Sequence, residues 1–328
     1  MERRHKLCLA CLWPLLILFC DIASALERPE LEGFVMDMVQ RHGFEENGLR
    51  GLLDEAALRE DILKAIANPA EAKPWYEYRP IFLTPQRIND GIEFWRDNAQ
   101  SLDAAQKTYG VAPAVIVAII GVETRYGRHT GKYRVIDSLS TLAFAYPPRA
   151  AFFRSELEQY LLLTREEGID PLGVTGSYAG AMGLPQFISS SYRAYAVDFD
   201  GDGRRDIWHN STDAIGSVAN YFARHGWQPD QPIANAAIAP DGQHQPALKS
   251  DRKAHFTAAQ LRERGIKVSV PVAEDLKGSL LTFQTEHGPE HWVGWHNFFV
   301  ITRYNHSALY AMAVFQLSEL IKAGYEKK

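Results

Sequence analysis

The chain has 328 residues, of which 46% are hydrophobic and 23% are charged, and its formal net charge is −5. This length is sufficient for a sizeable hydrophobic core, and the sequence contains no internal repeat or low-complexity tract. The mildly acidic balance, without basic blocks, argues against nucleic acid as a partner.

The first 25 residues have the layout of a secretory signal peptide. A basic start precedes an apolar run from Leu7 to Cys20, and Ala23-Ser-Ala25 matches an Ala-x-Ala cleavage site. Cys20 offers an alternative, as the lipid-accepting residue of an outer-membrane lipoprotein, but the large Phe19 before it fits that processing poorly. We therefore expect export to the periplasm rather than lipidation at Cys20.

Cleavage after residue 25 would remove all three cysteines, Cys8, Cys11 and Cys20. The mature chain would then have no disulfide and no thiol nucleophile, although it would work in an oxidising compartment. Its net charge would change only to −6, since three basic and two acidic residues leave with the peptide. The remaining sequence has no second apolar run long enough to span a bilayer. Its stability must therefore come from its hydrophobic core.

Helices dominate the first half of the expected mature chain. Apolar residues recur at helical spacing in three segments, namely Pro29–His42, Leu52–Ala67 and Pro85–Tyr109. The run from Val111 to Val122 is rich in β-branched residues and could form a strand on periodicity alone. Pro113 near its start and Gly127 after its end favour a buried helix.

Glu123 directly follows this apolar run and would lie on the last turn of the helix. A buried carboxylate is unfavourable unless it is paired or protonated near neutral pH. A carboxyl group that stays protonated can act as a general acid. The structural alternative is an ion pair with Arg125 or Arg128.

The second half of the chain is predicted to mix helices with short strands. Helices are predicted over Arg149–Glu167, Asp213–Arg224, Thr257–Arg264 and Ser307–Ala323. Between residues 228 and 303 the sequence has many turn residues and the β-type runs Lys267–Pro271, Leu280–Phe283 and Phe298–Thr302. This change predicts a small β-containing insertion.

The segment from Gly173 to Phe187 interleaves glycines with Ser177, Tyr178 and Gln186. Glycines let a backbone approach a ligand closely, and hydroxyl and amide groups supply the neutral hydrogen bonds that a sugar needs. The structural alternative is a tight loop between two helices. The segment lacks the Gly-Lys-Ser/Thr ending of a phosphate-binding loop, which argues against nucleotide binding.

Asp198-Phe-Asp-Gly-Asp-Gly203 begins a calcium-loop pattern, with carboxylates at positions one, three, five and nine and glycine at six. The twelfth position is His209 rather than the usual glutamate. Asp213 could replace it, although Asp213 could instead cap the following helix. The pattern predicts a structural cation site, and the alternative is a solvated acidic turn.

Other catalytic patterns are not supported. Gly288 and Pro289 prevent the helix that would place His287 and His291 on one face, so a zinc-protease site is not predicted. No Gly-x-Ser-x-Gly nucleophile motif occurs. Aromatic residues are numerous, and Tyr304-Asn305 draws attention because two polar residues follow an apolar run.

Several segments together resemble the lytic murein transglycosylase B family of bacterial cell-wall enzymes. They are Ile119–Gly127, Gly176–Gly183 with Pro185–Phe187, Asp198–Gly203, Asp213–Phe222 and Ile301–Ser307. They follow one another in the order of the family and cover nearly all of the mature chain. The resemblance implies a mainly α (α+β) fold, with a lysozyme-like helical catalytic core, an additional helical domain and a small β-containing insertion.

The resemblance also implies roles for individual residues. Glu123 would be the single catalytic acid and base. The glycan cleft would be lined by Ser177, Gln186, Tyr304 and Asn305, with Tyr126, Tyr178 and Tyr310 as further candidates. A structural Ca²⁺ would be held by Asp198, Asp200, Asp202 and the Arg204 carbonyl, with Asp213 as an additional ligand. Leu184 departs from the polar or aromatic residue expected at its position, which puts one subsite in doubt.

The implied reaction cleaves the β-1,4 bond between N-acetylmuramic acid and N-acetylglucosamine in peptidoglycan and forms 1,6-anhydromuramyl ends. Two alternatives stay open. A hydrolytic muramidase would use a second carboxylate, for which the candidates are Glu156, Glu158, Glu166 and Asp170. A non-catalytic protein would only bind peptidoglycan. We expect a monomer with no organic cofactor, acting on peptidoglycan glycan strands, and cell-wall synthesis proteins are candidate partners.

The predicted organisation has five parts. A signal peptide occupies residues 1–25 and an N-terminal helical region residues 26–110. The lysozyme-like catalytic core with its calcium loop occupies residues 111–227, the β-containing insertion residues 228–303, and a C-terminal helix that packs on the core residues 304–328.

Overall fold

The computed structural model of the chain describes residues 28–67, 73–239 and 252–327. The predicted signal peptide and its cysteines lie outside the described residues. Within these ranges no single helix is long and apolar enough to cross a membrane. One pair, Ala99–Tyr109 with Pro113–Thr124, has the required length and composition together but is bent by 115°.

The fold is mainly helical, as predicted. The helices are α1 (Arg28–His42), α2 (Glu46–Asp54), α3 (Glu60–Ile66), α4 (Trp75–Phe82), α5 (Pro85–Asp97), α6 (Ala99–Tyr109), α7 (Pro113–Thr124), α8 (Val135–Ala145), α9 (Ala150–Glu167), α10 (Ser189–Tyr195), α11 (Ser211–Arg224), α12 (Ala258–Glu263), α13 (His296–Ile301) and α14 (Ala308–Glu326). The strands are β1 (Tyr133–Arg134), β2 (Thr175–Gly176), β3 (Ala234–Ile238), β4 (Phe256–Thr257), β5 (Lys267–Val268), β6 (Lys277–Thr285) and β7 (Gly288–Trp295).

The predicted helix Leu52–Ala67 is wrong, because the chain breaks between α2 and α3. Side chains of α8 hold the backbone of this break. The Asp137 carboxylate accepts a hydrogen bond from the Ala57 N–H, and the Thr141 hydroxyl accepts one from the Arg59 N–H, both at 3.0 Å. These N–H groups are therefore satisfied without a continuous helix. The same contacts attach the N-terminal helices to α8.

The predicted helix Pro85–Tyr109 is also divided, at Asn98 between α5 and α6. The backbone of Asn98 leaves the helical region, with φ −117° and ψ 21°. Its side chain donates to the Phe94 carbonyl at 2.8 Å and accepts a hydrogen bond from the Ser211 hydroxyl. The Asn98 side chain thus links α5 and α6 to the start of α11.

Helix α7 is the centre of the core. All its residues from Pro113 to Gly121 are buried, and α5, α6, α11 and α14 pack around it. A helix that is apolar on every face requires such an enclosed position. The prediction of a buried helix rather than a strand is confirmed.

The larger sheet has five antiparallel strands in the order β4-β6-β7-β3-β5, and all of them fall within residues 228–303. Leu280–Phe283 lies in β6 as predicted, whereas β5 covers only the first two residues of Lys267–Pro271. The predicted strand Phe298–Thr302 is wrong, because this segment forms most of α13. Phe298, Val300 and Ile301 are all buried there. A short run that is buried on every side does not distinguish a strand from a helix.

The sheet has a small core of its own, which consists of Leu261, Ile266, Leu280, Val293 and Trp295. Two aromatic contacts join the sheet to the helices. Phe283 lies 5.3 Å from Trp75 of α4, and Trp292 lies edge-on to Phe315 of α14 at 6.0 Å between ring centroids. Helix α4 therefore lies against both the sheet and α14.

Candidate active site

Glu123 lies on the last turn of α7, where it is partly buried. The helix ends abruptly because the next three residues, Arg125, Tyr126 and Gly127, all have a left-handed backbone, with φ of 51°, 59° and 86°. Such a conformation is uncommon for residues other than glycine, and strained backbone is concentrated at functional sites. The last turn of α7 is therefore a candidate site on backbone geometry as well as on chemistry.

The carboxyl group of Glu123 accepts a hydrogen bond from the Tyr310 hydroxyl at 2.5 Å. Burial raises the pKa of Glu123 from its usual value of 4.5 to about 7, and the hydrogen bond from Tyr310 opposes this rise without cancelling it. The group therefore exists in both its protonated and its ionised form near neutral pH. A carboxyl group with such a pKa can donate a proton in one step and accept one in the next.

The alternative of an ion pair for Glu123 is not supported. Arg128 instead donates to Asp90 at 2.6 Å. Arg125 is exposed, and within the described residues it forms no ion pair with Glu123. Without a cation beside it, the pKa of Glu123 stays high.

Two tyrosines from the C-terminal part of the chain surround Glu123. Tyr310 lies in the first turn of α14, and Tyr304 lies in the loop before it, where its hydroxyl donates to the Pro185 carbonyl at 2.7 Å. Burial raises the pKa of both hydroxyls well above the usual value, and the nearby charge of Glu123 raises each further. Both tyrosines therefore remain protonated hydrogen-bond donors. Asn305 is partly exposed beside Tyr304, and its side chain makes no hydrogen bond within the described part of the chain.

Ser177 shapes the glycine-rich loop. Its hydroxyl oxygen accepts hydrogen bonds from the Ala179 and Ala181 N–H groups at 3.2 and 3.0 Å. The hydroxyl proton is not used in these bonds and is free to point outward. Tyr178, next to it, is exposed, so a ligand can reach its ring.

Gln186 also has a left-handed backbone, with φ 51°. Its side-chain amide donates to the carbonyls of Thr130 and Gly183 at 3.1 and 3.0 Å. The amide nitrogen therefore holds the loop together, and the amide oxygen has no partner within the described ranges. A left-handed residue held by two hydrogen bonds is a rigid support for a binding group.

Thr124 is a positioning residue that sequence reasoning missed. It is buried, and its hydroxyl donates to the Leu184 carbonyl at 3.0 Å while accepting a hydrogen bond from the Gly127 N–H at 3.0 Å. It thus joins the turn after Glu123 to the glycine-rich loop. The only signal in the sequence was a threonine directly after the carboxylate. Leu184 itself is buried and packs near Gly127, so its apolar side chain is explained by the core.

Tyr126 does not lie in the cleft, contrary to the prediction. Its hydroxyl donates to the Arg87 carbonyl at 2.9 Å, and its ring lies between α5 and α7. A Cβ atom at Gly91 or Gly121 would approach the Tyr126 hydroxyl within 2.4 or 2.5 Å. The two glycines make room for this ring, and burial raises its pKa. Tyr126 is therefore a core residue of the helix interface.

The four candidates for a second carboxylate all have other partners. Glu156 is buried and caps α10 through the N–H and hydroxyl of Ser190. The remaining three contact residues away from Glu123, since Glu158 pairs with Arg41 and His42, Glu166 pairs with Arg193, and Asp170 accepts from the Leu172 N–H. Among the described residues, none of these four carboxylates contacts Glu123.

The acidic loop brings four carboxylates together, from Asp198, Asp200, Asp202 and Asp213. One oxygen of each lies within 4.8 Å of the others. Oxygen ligands of Ca²⁺ lie about 2.4 Å from the ion, so two ligands on opposite sides of it are about 5 Å apart. The arrangement therefore fits a calcium ion. In the part of the chain that the structure describes, it is the one such group of His, Cys, Asp and Glu residues.

Backbone N–H groups hold several carboxylates of this loop. Asp198 accepts hydrogen bonds from the Gly201, Asp202 and Gly203 N–H groups, and Asp202 accepts one from the Arg204 N–H. The buried Asp213 accepts from the N–H groups of Phe199 and Asp206. Its pKa is raised by burial and then by the charges of Asp200 and Asp198. Such mutual repulsion is relieved by a bound cation.

The acidic loop is bonded directly to the glycine-rich loop. The Leu184 N–H donates to the Ile207 carbonyl at 2.9 Å. A Cβ atom at Gly183 would lie 2.5 Å from the same carbonyl oxygen, so the two backbones are in close contact. The acidic loop therefore supports the backbone of the glycine-rich loop.

Comparisons with known proteins identify the relatives of this chain. A model of the transglycosylase SLT domain family matches residues 27–319. The chain is 43% identical over 303 residues to the membrane-bound lytic murein transglycosylase B of Escherichia coli (strain K12). The match covers 89% of this chain and 82% of the relative.

Solved structures show the same fold. The soluble lytic transglycosylase SltB1 from Pseudomonas aeruginosa is 50% identical, with a TM-score of 0.86 over 91% of this chain and 100% of its own. The E. coli lytic transglycosylase Slt35 in complex with calcium is 42% identical, with a TM-score of 0.84 over 91% and 94%. SltB3 from P. aeruginosa in complex with NAG-NAM-pentapeptide is 29% identical, with a TM-score of 0.81 over 93% and 80%.

Proposed function

The chain belongs to the transglycosylase SLT domain family of peptidoglycan lytic transglycosylases, and from this premise we propose that Glu123 is the single acid and base of its active site. The observation that carries the proposal is the pKa of about 7 for a carboxyl group whose partner within the described residues is a tyrosine and not a cation. The same group can thus serve in both halves of the reaction.

In the first half, protonated Glu123 gives its proton to the glycosidic oxygen between N-acetylmuramic acid and N-acetylglucosamine. The bond from C1 to this oxygen breaks, and the 2-acetamido oxygen of the muramic acid attacks C1 from the other side. The leaving N-acetylglucosamine takes the proton on its 4-hydroxyl. Glu123 is left ionised, in contrast to the paired carboxylates of most glycosidases.

In the second half, ionised Glu123 removes the proton of the C6 hydroxyl. The C6 oxygen then attacks C1, the bond between C1 and the acetamido oxygen breaks, and a 1,6-anhydro ring closes. Glu123 regains its proton, so the site returns to its starting state without water. None of these chemical steps requires a second carboxylate.

We assign glycan binding to the uncharged polar groups of the glycine-rich loop and of the turn before α14. Ser177, Gln186, Tyr304 and Asn305 offer uncharged hydrogen-bonding groups, which suit sugar hydroxyl and acetamido groups. Tyr178 offers an exposed ring on which a sugar face can stack. Tyr310 contacts the catalytic carboxyl group directly.

Mass spectrometry of digested sacculi tests the proposed reaction. We expect fragments that end in 1,6-anhydromuramic acid, because none of the four candidate carboxylates contacts Glu123 among the described residues and could there activate water. Reducing, hydrated ends would instead identify a muramidase. Intact sacculi after digestion would identify a non-catalytic peptidoglycan-binding protein.

Replacement of Tyr310 by Phe should move the alkaline limb of the pH profile of kcat/KM to higher pH, by about one pH unit. The hydroxyl of Tyr310 stabilises the ionised form of Glu123, so its loss raises the pKa of that carboxyl group. Tyr160→Phe is the matched control, since Tyr160 is buried and donates to the Pro171 carbonyl, away from Glu123. A Tyr310→Phe profile with an unchanged or lowered midpoint would contradict the assignment.

We infer a structural calcium ion held by Asp198, Asp200, Asp202, Asp213 and the Arg204 carbonyl. When bound, the ion neutralises the carboxylates and fixes the loop, and it takes no part in the chemical steps. Support comes from the spacing of the four carboxylates and from the calcium complex of Slt35. We further infer a periplasmic enzyme that acts as a monomer on peptidoglycan and is exported by residues 1–25.

A further inference from the structure

A cavity of about 430 Å³ lies at the opposite end of α7 from Glu123. Its walls come from the end of α6, the start of α7, the loop after α11 and the segment before β6, and they include Gly110, Ala112, Asp230 and Asn235. At about 1.5 Å per residue, the helix from Ala112 to Glu123 separates the cavity from the candidate active site by about 16 Å. The proposed reaction uses none of its side chains.

A second cavity, of about 330 Å³, continues the first. Gln231, Ala273 and Leu276 line both cavities, so the two form one elongated groove beside the β-containing insertion. We call it the insertion groove. Its volume is in the usual range for a ligand site, and its length suits a chain of linked units better than a compact molecule.

The loop after α11 forms one wall of the insertion groove and is fixed by a buried side chain. The amide of the fully buried Asn297 accepts from the Gln228 N–H at 2.9 Å and donates to the carbonyls of Gln228 and Gln231 at 2.8 and 3.3 Å. The Trp227 indole N–H donates to the Gly110 carbonyl at 3.1 Å. This wall is therefore formed before a ligand arrives.

Asp230 lies in the fixed loop with a left-handed backbone, at φ 59°. Such a backbone is uncommon outside glycine, persists only where the surrounding structure imposes it, and is concentrated at functional sites. The carboxylate of Asp230 is exposed and makes no hydrogen bond or ion pair in the ranges that the structure describes. The loop thus presents to the groove a carboxylate that the fold itself does not use.

The other polar groups of the first cavity are uncharged. Gln106 and Gln231 offer exposed amides. The Asn235 oxygen accepts from the Trp295 indole at 2.7 Å, which leaves the amide nitrogen of Asn235 to donate to a ligand. Apolar side chains line much of the remaining wall, namely those of Ile233, Val270, Pro271 and Val272. A few hydrogen-bonding groups beside an apolar wall suit a sugar, which has hydroxyl groups at its edge and carbon atoms on its faces.

Other classes of ligand fit less well. An anion would be repelled by Asp230, because the described residues that line the first cavity include no cation. One carboxylate is too few for Ca²⁺, which takes six to eight oxygen ligands. A peptide that extends the sheet would need a free edge of β3. That edge is covered by β5 and by the Ser269 N–H, which donates to the Ala236 carbonyl at 2.8 Å.

We propose that the insertion groove is a second glycan-binding site, which holds peptidoglycan glycan outside the catalytic cleft. Asp230 accepts hydrogen bonds from sugar hydroxyls, Asn235 donates to an acetamido carbonyl, and the apolar wall contacts the sugar ring. The proposal rests on the peptidoglycan substrate of the proposed function and not on the role of Glu123. Because the enzyme binds at two places, it stays on the sacculus between cleavage events.

Two substrates separate the groove from the cleft, namely intact sacculi and a soluble tetrasaccharide of two disaccharide units. Asp230→Asn keeps the left-handed backbone, which asparagine tolerates, and loses only the charge. We expect its kcat/KM on sacculi to fall about tenfold, the loss typical of a hydrogen bond to a charged group. Its kcat/KM on the tetrasaccharide should stay the same. Ala273→Trp fills the groove from an exposed position and should give the same pattern.

Each variant has a matched control at an exposed position that lines neither cavity. Glu286→Gln, in the turn between β6 and β7, removes a negative charge, and Ala323→Trp, near the end of α14, adds an indole. Both should match the wild type on both substrates. An equal fall of Asp230→Asn and Ala273→Trp on both substrates, or no fall on sacculi, would overturn the proposal.

An NMR titration with a tetramer of N-acetylglucosamine measures binding without catalysis. We expect the amide resonances of residues 228–235 and 271–276 to shift in the wild type and not in Ala273→Trp. Those of the glycine-rich loop, residues 176–187, should shift in both proteins. Shifts confined to the glycine-rich loop would contradict a second glycan site. Shifts of the groove with butylamine but not with the tetramer would identify an amine site and would equally overturn the proposal.

Failure of the groove and failure of the proposed function give different results. Anhydro products without the expected difference between sacculi and tetrasaccharide would reject the groove alone. Absence of anhydro products from the wild type on either substrate would reject the proposed function. The NMR titration would then still decide the groove, because binding of the tetramer does not require cleavage.

Discussion

Replacement of Glu123 by Gln should lower kcat for glycan cleavage by a factor of about 10⁴. The amide has the shape of the protonated carboxyl group but can neither release a proton to the glycosidic oxygen nor remove one from the C6 hydroxyl. The proposed mechanism uses Glu123 in both halves of the reaction, so we expect no other group to rescue the variant. Release of anhydromuropeptides from sacculi, measured by mass spectrometry, gives the rate.

The same substitution should stabilise the fold at alkaline pH. Folding raises the pKa of Glu123 from 4.5 to about 7, so between these values the folded chain binds more protons than the unfolded chain. Stability therefore falls as the pH rises through this window, by up to about 3 kcal/mol at pH 8. Glutamine cannot ionise, and Glu123→Gln should exceed the wild type by up to that amount at pH 8 and match it near pH 4.

Denaturant unfolding at both pH values checks this expectation, and it separates lost chemistry from lost structure. Glu158→Gln is the matched control for activity, since Glu158 pairs with Arg41 and His42 on the helices. Its kcat should stay within about twofold of the wild type. If Glu123→Gln kept the wild-type rate, the assignment of the acid and base would be wrong.

Removal of calcium by a chelator should lower the melting temperature by about 5 to 10 °C. An ion present at 100 times its dissociation constant contributes about 2.7 kcal/mol to stability, and each kcal/mol corresponds to a few degrees in a chain of this size. The loss arises because the carboxylates of Asp198, Asp200, Asp202 and Asp213 repel one another without the ion. Differential scanning fluorimetry with EGTA, followed by calcium or magnesium, measures the effect.

Calcium should restore the melting temperature and magnesium should restore it poorly, because Mg²⁺ requires a smaller octahedral set of ligands. Asp200→Asn combined with Asp202→Asn is the control variant. It should melt at the same temperature with and without EGTA. A wild-type curve that responds to neither EGTA nor calcium would show that the acidic loop is a solvated turn.

The sequence predicted the buried helices well where apolar residues continued over several turns, as in α7 and α14. It failed where side chains distant in sequence decided the local structure. The break between α2 and α3 depends on Asp137 and Thr141 of α8, and no local pattern reveals such partners. Helix α13 was mistaken for a strand because it is buried on all sides.

The site candidates came from segments where chemistry and spacing agreed, and their roles stay predictions. Glu123, Tyr310, Tyr304 and the four clustered aspartates were all identified from the sequence, and the structure brings them into two groups. Tyr126 was a further cleft candidate that the resemblance to the family implied. Its ring turns to the other side of α7, because Gly91 and Gly121 leave space there. Thr124 was overlooked because a hydrogen bond to Leu184 cannot be read from one short segment.

The hydroxyl group of Ser177 has a fixed hydrogen-bonding role. Its oxygen already accepts from two backbone N–H groups, those of Ala179 and Ala181, and a hydroxyl oxygen has only two lone pairs. Toward a ligand, Ser177 can therefore act only as a donor. A sugar beside it must present an acceptor, such as the carbonyl oxygen of an acetamido group. A sugar group that instead presents a donor would find no lone pair left on the Ser177 oxygen.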